Sequence, residues 1–150
     1  MEIHDFQDHI PVDADRIRSV VVAAAGERNP AISVSIVDNA TIHALNWEHL
    51  GHDRATDVIS FDYSSESMAS AECDGSSDDV DGEVIASAEQ AAIVADDMGR
   101  DPFSELLLYI IHGVLHLRGY NDRSDEEKKE MRIREKEVCR ELGMEDPWIE

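Results

Sequence analysis

The most constraining stretch of the sequence is PFSELLLYIIHGVLHLR, residues 102–118, which is apolar on almost every face. A helix that is hydrophobic all round cannot lie on a surface, so it must run through the interior with other elements packed around it. Both of its ends are marked. Asp101-Pro102 supplies an N-cap and a proline at the first helical position, and Gly119 is suited to a left-handed cap at the far end.

The rest of the chain has to wrap this helix. Residues 1–6 read as a short strand, and Asp13 or Asp15 caps a helix over RIRSVVVAAAGERN that ends before Pro30. The β-branched run ISVSIVD, 32–38, reads as a strand, followed by a short helix TIHALNWEHLG to Gly51. TDVISF at 56–61 and GEVIAS at 82–87 are strand-like, while 62–81 between them is too polar and too rich in small residues to pack and is expected to form a mobile acidic loop. SAEQ at 87–90 has capping-box form and opens a helix that stops near Gly99; Ser124 and Glu127 match a second box. The helix after Ser124 turns Met131, Val138 and Leu142 inward and ends at Gly143. The order β-α-β-α-β-β-α-α-α predicts an α+β fold, a small mixed β-sheet covered by helices around the buried central one. There is no internal repeat, and 150 residues fit one domain over 1–150.

Charge limits the partners. The net charge is −21, from 34 acidic against 13 basic residues, and the acids occur in every segment. Such a coat keeps a protein soluble in high salt, and a salt-rich cytoplasm is the preferred cause. It argues against broad binding of nucleic acid through phosphates, DNA included, while leaving room for a small local patch. The N-terminus MEIHDFQDHI lacks a basic region and an apolar core, and no run of 18 apolar residues occurs, so a cytoplasmic protein without membrane contact is expected. Cys73 and Cys139 have no C-x-x-C spacing and read as reduced thiols without a zinc role.

Into the central helix the sequence puts two imidazoles. His112 and His116 are four residues apart, so both leave the same face one turn apart and can grip one ion. The plainer reading is a pair of satisfied core histidines, but the helix offers as polar partners only Ser104, Glu105 and Tyr109. Burying two imidazoles without an ion or hydrogen bonds would cost roughly a few kcal/mol. Gly119 permits a turn that brings back Asp122 with a carboxylate donor. Two nitrogens, one oxygen and a water are the ligand set of a catalytic zinc. The spacing H-x-x-x-H-x-x-G-x-x-D follows the metzincin pattern H-E-x-x-H-x-x-G-x-x-H, with Asp122 for the third histidine and Gly113 where a zinc peptidase carries its general-base glutamate. Peptide hydrolysis is thereby disfavoured. His49 and His52 have no partner at helical spacing and read as surface residues.

HGVLHLRGYND at 112–122, preceded by LNWEHLGHDRATDVISF, GEVIAS and SAEQA, resembles the YbeY family of bacterial zinc-dependent endoribonucleases of ribosomal RNA maturation, whose signature is similar to HGxLHLxGYDH. The likeness covers most of residues 32–140. It implies one zinc ion per chain on three ligands, falling here on His112, His116 and Asp122. It also implies cleavage of single-stranded RNA near the 3′ end of the small-subunit RNA, and a part in ribosome quality control. The arginine often found before the glycine of the family's LN…RG segment is replaced by Leu50, and Gly82-Glu83 stands for the family's GD. A phosphate-holding task for that arginine is either lost or passed to Arg54, which reads equally well as a solvated surface residue. In the leading reading the ion polarises a phosphoryl oxygen and lowers the pKa of its water, doing without a glutamate base. The rival class is a ribosome-associated RNA-binding protein with a structural metal, and a metallopeptidase comes third.

Overall fold

The computed structural model of the chain describes residues 1–28, 30–50, 57–63, 82–121 and 123–144, with backbone alone for 47–50. The elements run β1 (Glu2–Asp5), α1 (Ala14–Ala25), β2 (Ile32–Val37), α2 (Asn39–Leu50), β3 (Val58–Asp62), β4 (Gly82–Ser87), α3 (Ala88–Met98), α4 (Pro102–Leu117) and α5 (Asp125–Glu141). The expected order of elements and the mixed α+β architecture are both present.

The caps explain where the helices begin and end. Asp13, not Asp15, caps α1 by accepting from the amides of Asp15 and Arg16, and Gly26 in the left-handed region stops the helix before Glu27. α2 starts two residues before the expected Thr41, because Asp38 accepts from the Thr41 amide at 2.8 Å. Ser87 accepts from the Gln90 amide at 3.1 Å, but the box expected there is only half made. The Gln90 side chain accepts instead from Asn39 Nδ2 at 3.2 Å, so a tertiary partner has displaced the local one. At Ser124 both halves of the box are formed with Glu127.

The sheet has the order β1-β2-β4-β3, with β1, β2 and β4 parallel and β3 antiparallel to β4. Its two faces are covered separately, as a largely parallel sheet requires. Val34, Ile36, Val84 and Ala86 belong to the main core with α1, α3 and α4, whereas Val37, Ile59 and Ile85 pack on the other side with Ile42 of α2. α4 is the interior helix that its composition demands: Leu106, Leu107, Ile110, Ile111, Val114 and Leu115 are all fully buried. Each such side chain contributes about 1.5–3 kcal/mol by leaving water.

On α5, Met131 and Val138 are buried as expected, and Leu142 packs partly buried against the same core. Cys139 is a buried thiol packed in the main core. The strand expected at 56–61 is shifted to Val58–Asp62, and Tyr63 donates to Glu83 Oε1 at 2.9 Å, so the first two residues of the expected loop belong to the sheet edge. The remainder of that loop, with Cys73, and His52, Arg54 and Asp122 lie outside the described residues, as do the side chains of His49 and Leu50. Among the described residues no helix is long and apolar enough to cross a membrane.

Candidate functional site

The site begins where α4 meets the sheet. Strand register places Ser60 of β3 opposite Val84 of β4, and these two residues receive Gly113. A Cβ at Gly113 would stand 2.7 Å from Val84 Cγ1 and 3.1 Å from both Ser60 Oγ and Val58 Cγ2. The Ser60 hydroxyl donates to the Gly113 carbonyl at 2.8 Å, drawing the helix onto the strand. Position 113 therefore faces the sheet and has no room for a side chain. Its glycine is a condition of helix–sheet contact, and the sequence comparison with a peptidase's glutamate position had missed this.

With the helix seated, His112 and His116 converge. Their Nε2 atoms are 3.1 Å apart, and the rings meet edge to face at 83°. Two imidazole nitrogens on one tetrahedral zinc stand roughly 3.3 Å apart, given Zn–N bonds of about 2.0–2.1 Å. The pair thus already has the separation of two donors sharing an ion, and neutral imidazole is a suitable donor for zinc. On its other edge, His112 Nδ1 lies 2.7 Å from Glu135 Oε2. Glu135 is brought by α5 and is only 5% exposed.

His112 stands between two cavities. One of about 570 Å³ is lined by His112 and His116 together with Asp57, Ser60, Asn121 and Arg123. The other, about 390 Å³, is lined by His112 with Asp57, Glu105, Tyr109, Lys128, Arg132 and Glu135. Asp57 borders both. Although the residue as a whole is exposed, desolvation pushes its carboxyl above its ordinary value, with the nearby His112 ring acting against that shift. Burial, then the negative charges of Glu105 and Asp57, push the Tyr109 hydroxyl up, so it remains a protonated donor. Three basic residues, Arg123, Lys128 and Arg132, border these cavities in a chain whose net charge is −21.

Of the residues singled out in the sequence, His112 and His116 are brought together. Among the described residues no third His, Cys, Asp or Glu joins them in a metal-sized group. The turn expected at Gly119 is present, with φ 97° and the Tyr120 amide bonding back to the Leu115 carbonyl at 3.0 Å. Asn121 and Arg123, on either side of position 122, border the cavity that holds both histidines. Glu135, Asp57 and Arg123 escaped sequence reasoning. A signal existed for Glu135, since it lies four residues after Met131 and three before Val138, on the inward stripe of α5.

Comparison with known proteins gives a consistent answer. The profile of the family described as Endoribonuclease YbeY matches residues 2–143. A Rhodopirellula baltica protein named Endoribonuclease YbeY is 39% identical over 134 residues, covering 87% of this chain and 64% of its own length. A Carboxydothermus hydrogenoformans protein of the same name is 34% identical over 149 residues, covering 96% of this chain and 98% of its own length. The solution structure of a Thermotoga maritima protein is similar with a TM-score of 0.58 and 23% identity over 99% of both chains, a likeness of fold.

Proposed function

Since the chain belongs to the Endoribonuclease YbeY family, we propose that it is a zinc-dependent endoribonuclease that cuts single-stranded ribosomal RNA in small-subunit 3′-end maturation and ribosome quality control. It would work in the cytoplasm, as one domain over 1–150, with the ribosome as its partner. The reaction is hydrolysis of an RNA phosphodiester bond.

The observation that carries the reading is the 3.1 Å approach of the His112 and His116 Nε2 atoms on a helix locked against the sheet. These two residues, with Asp122 from the turn after Gly119, would hold the zinc. When bound, it supplies a Lewis acid beside the phosphate and lowers the pKa of coordinated water. The chain's own residues do the rest. Arg123, in the same cavity as the pair, offers a guanidinium to a phosphate, and Lys128 and Arg132 continue the positive charge into the neighbouring cavity. A backbone laid through the two cavities would cross His112. Arg54 stays available for the same task.

The test is cleavage of a single-stranded RNA by purified protein, with and without chelator, beside His116→Ala. The reading expects cleavage that chelator abolishes, zinc restores and the variant lacks. RNA bound at unchanged affinity but never cut would favour a binding protein with a structural metal.

A further inference from the structure

We propose that Glu135 is a positioning residue for the site: from α5 it fixes the tautomer of His112 so that the Nε2 lone pair is aimed at the metal position. The proposal rests on the metal reading of the histidine pair given above.

Glu135 occupies an unusual place. It lies in the inward stripe of α5 between Met131 and Val138, where its neighbours are 2% and 0% exposed. A carboxylate there loses most of its hydration, a cost that an apolar residue of similar size would avoid. What the carboxylate adds is an acceptor that cannot donate. His112 Nδ1, 2.7 Å away, must therefore carry the hydrogen of that bond. In the neutral ring the other nitrogen is then bare, and it is this Nε2 that meets His116 Nε2 at 3.1 Å.

The arrangement is that of a histidine held from behind by a carboxylate, which sets ring orientation and raises the basicity of the nitrogen facing the ion. The two groups are 23 residues apart and on different helices. The bracing thus depends on α5 docking through Met131, Val138 and Cys139. Arg134 adds an anchor by donating to the Ala23 carbonyl at 3.3 Å, tying α5 to the end of α1. Lys128, Arg132, Glu105, Asp57 and Tyr109 border the same cavity as Glu135, so the carboxylate sits among charges of both signs.

Two substitutions separate positioning from mere structure. Glu135→Leu removes the acceptor and keeps the stripe apolar; Glu135→Gln keeps an acceptor oxygen. Zinc affinity is read by competition with a chromogenic chelator, and the tautomer of His112 by ¹⁵N spectra of the ring nitrogens in metal-free protein. The expected result for Glu135→Leu is a zinc affinity lower by about 10–100-fold. The Nδ1–H tautomer should be lost, with an unchanged or raised melting temperature of the metal-free protein. Glu135→Gln should retain the tautomer and most of the affinity. A leucine variant with the parent's zinc affinity overturns the proposal, whether its melting temperature falls or not. If the parent itself fails to bind zinc, the metal reading falls, and the ring-nitrogen spectra still decide whether Glu135 fixes His112.

Discussion

On the side of α4 that meets the sheet, Gly113 lets the helix approach so closely that one added methyl would stand 2.7 Å from Val84 Cγ1. On the side that meets α5, His112 reaches Glu135 across 2.7 Å through a polar contact. The first contact works by shape and fixes how deep the helix lies. The second works by direction and fixes how one ring is turned. Shape is paid in stability when altered, because a close-packed interior cannot absorb extra volume. Direction can be lost with little change in stability and a large change in what the ring can bind. The two sides therefore respond to different measurements.

The largest expected effect is on the sheet side. Gly113→Glu, which would restore the residue of the peptidase pattern, forces a charged side chain between Val84, Val58 and Ser60 and should leave little folded protein, as judged by soluble yield and circular dichroism. Gly113→Ala should fold with a loss of about 1–3 kcal/mol in urea unfolding. If the alanine variant were as stable as the parent, the helix would have room that the contact with Val84 denies.

That comparison also separates what was legible in the sequence from what was not. The all-round apolar run gave away the interior helix, and Asp101-Pro102 and Gly119 its ends, because these signals depend only on near neighbours along the chain. The histidine pair was legible for the same reason, being one helical turn apart. Gly113 does stand where the peptidase pattern carries its glutamate, but its packing role was not legible, because a linear pattern does not say which side of the helix faces the strands. Glu135 was passed over because a single charge in an amphipathic helix is ordinarily solvated, although its place between Met131 and Val138 pointed inward. At Ser87, local logic failed when Gln90 found Asn39 on another helix.

Asp122→Ala ranks next and tests the third donor proposed for the pair. Zinc affinity should drop sharply in a chelator competition, since two ligands on one turn cannot close a tetrahedral site, while Asp122→His should keep the ion. Unchanged zinc binding in the alanine variant, with about 1 kcal/mol of stability lost, would make Asp122 a turn residue only.

The smallest effect belongs to the polar contact of Tyr63 with Glu83 at the sheet edge. Burial, then the hydrogen bond to Glu83, pushes the Tyr63 hydroxyl up to about 12. A folded-state value above the ordinary one of about 10 means a stabilising contribution that is whole below pH ~10 and is lost as the pH rises through about 12. The stability difference between the parent and Tyr63→Phe should therefore shrink across that window in chemical unfolding. A constant difference would show that the phenol is not held protonated by the fold.

The central claim is that His112 and His116 converge in order to share one metal ion. It is tested most directly by elemental analysis of tag-free protein after dialysis against a weak chelator, for the parent and for His116→Ala. The account predicts close to one zinc per chain in the parent and none in the variant, with the circular dichroism of the two alike. Equal zinc in both, or none in the parent after reloading with zinc, would contradict it.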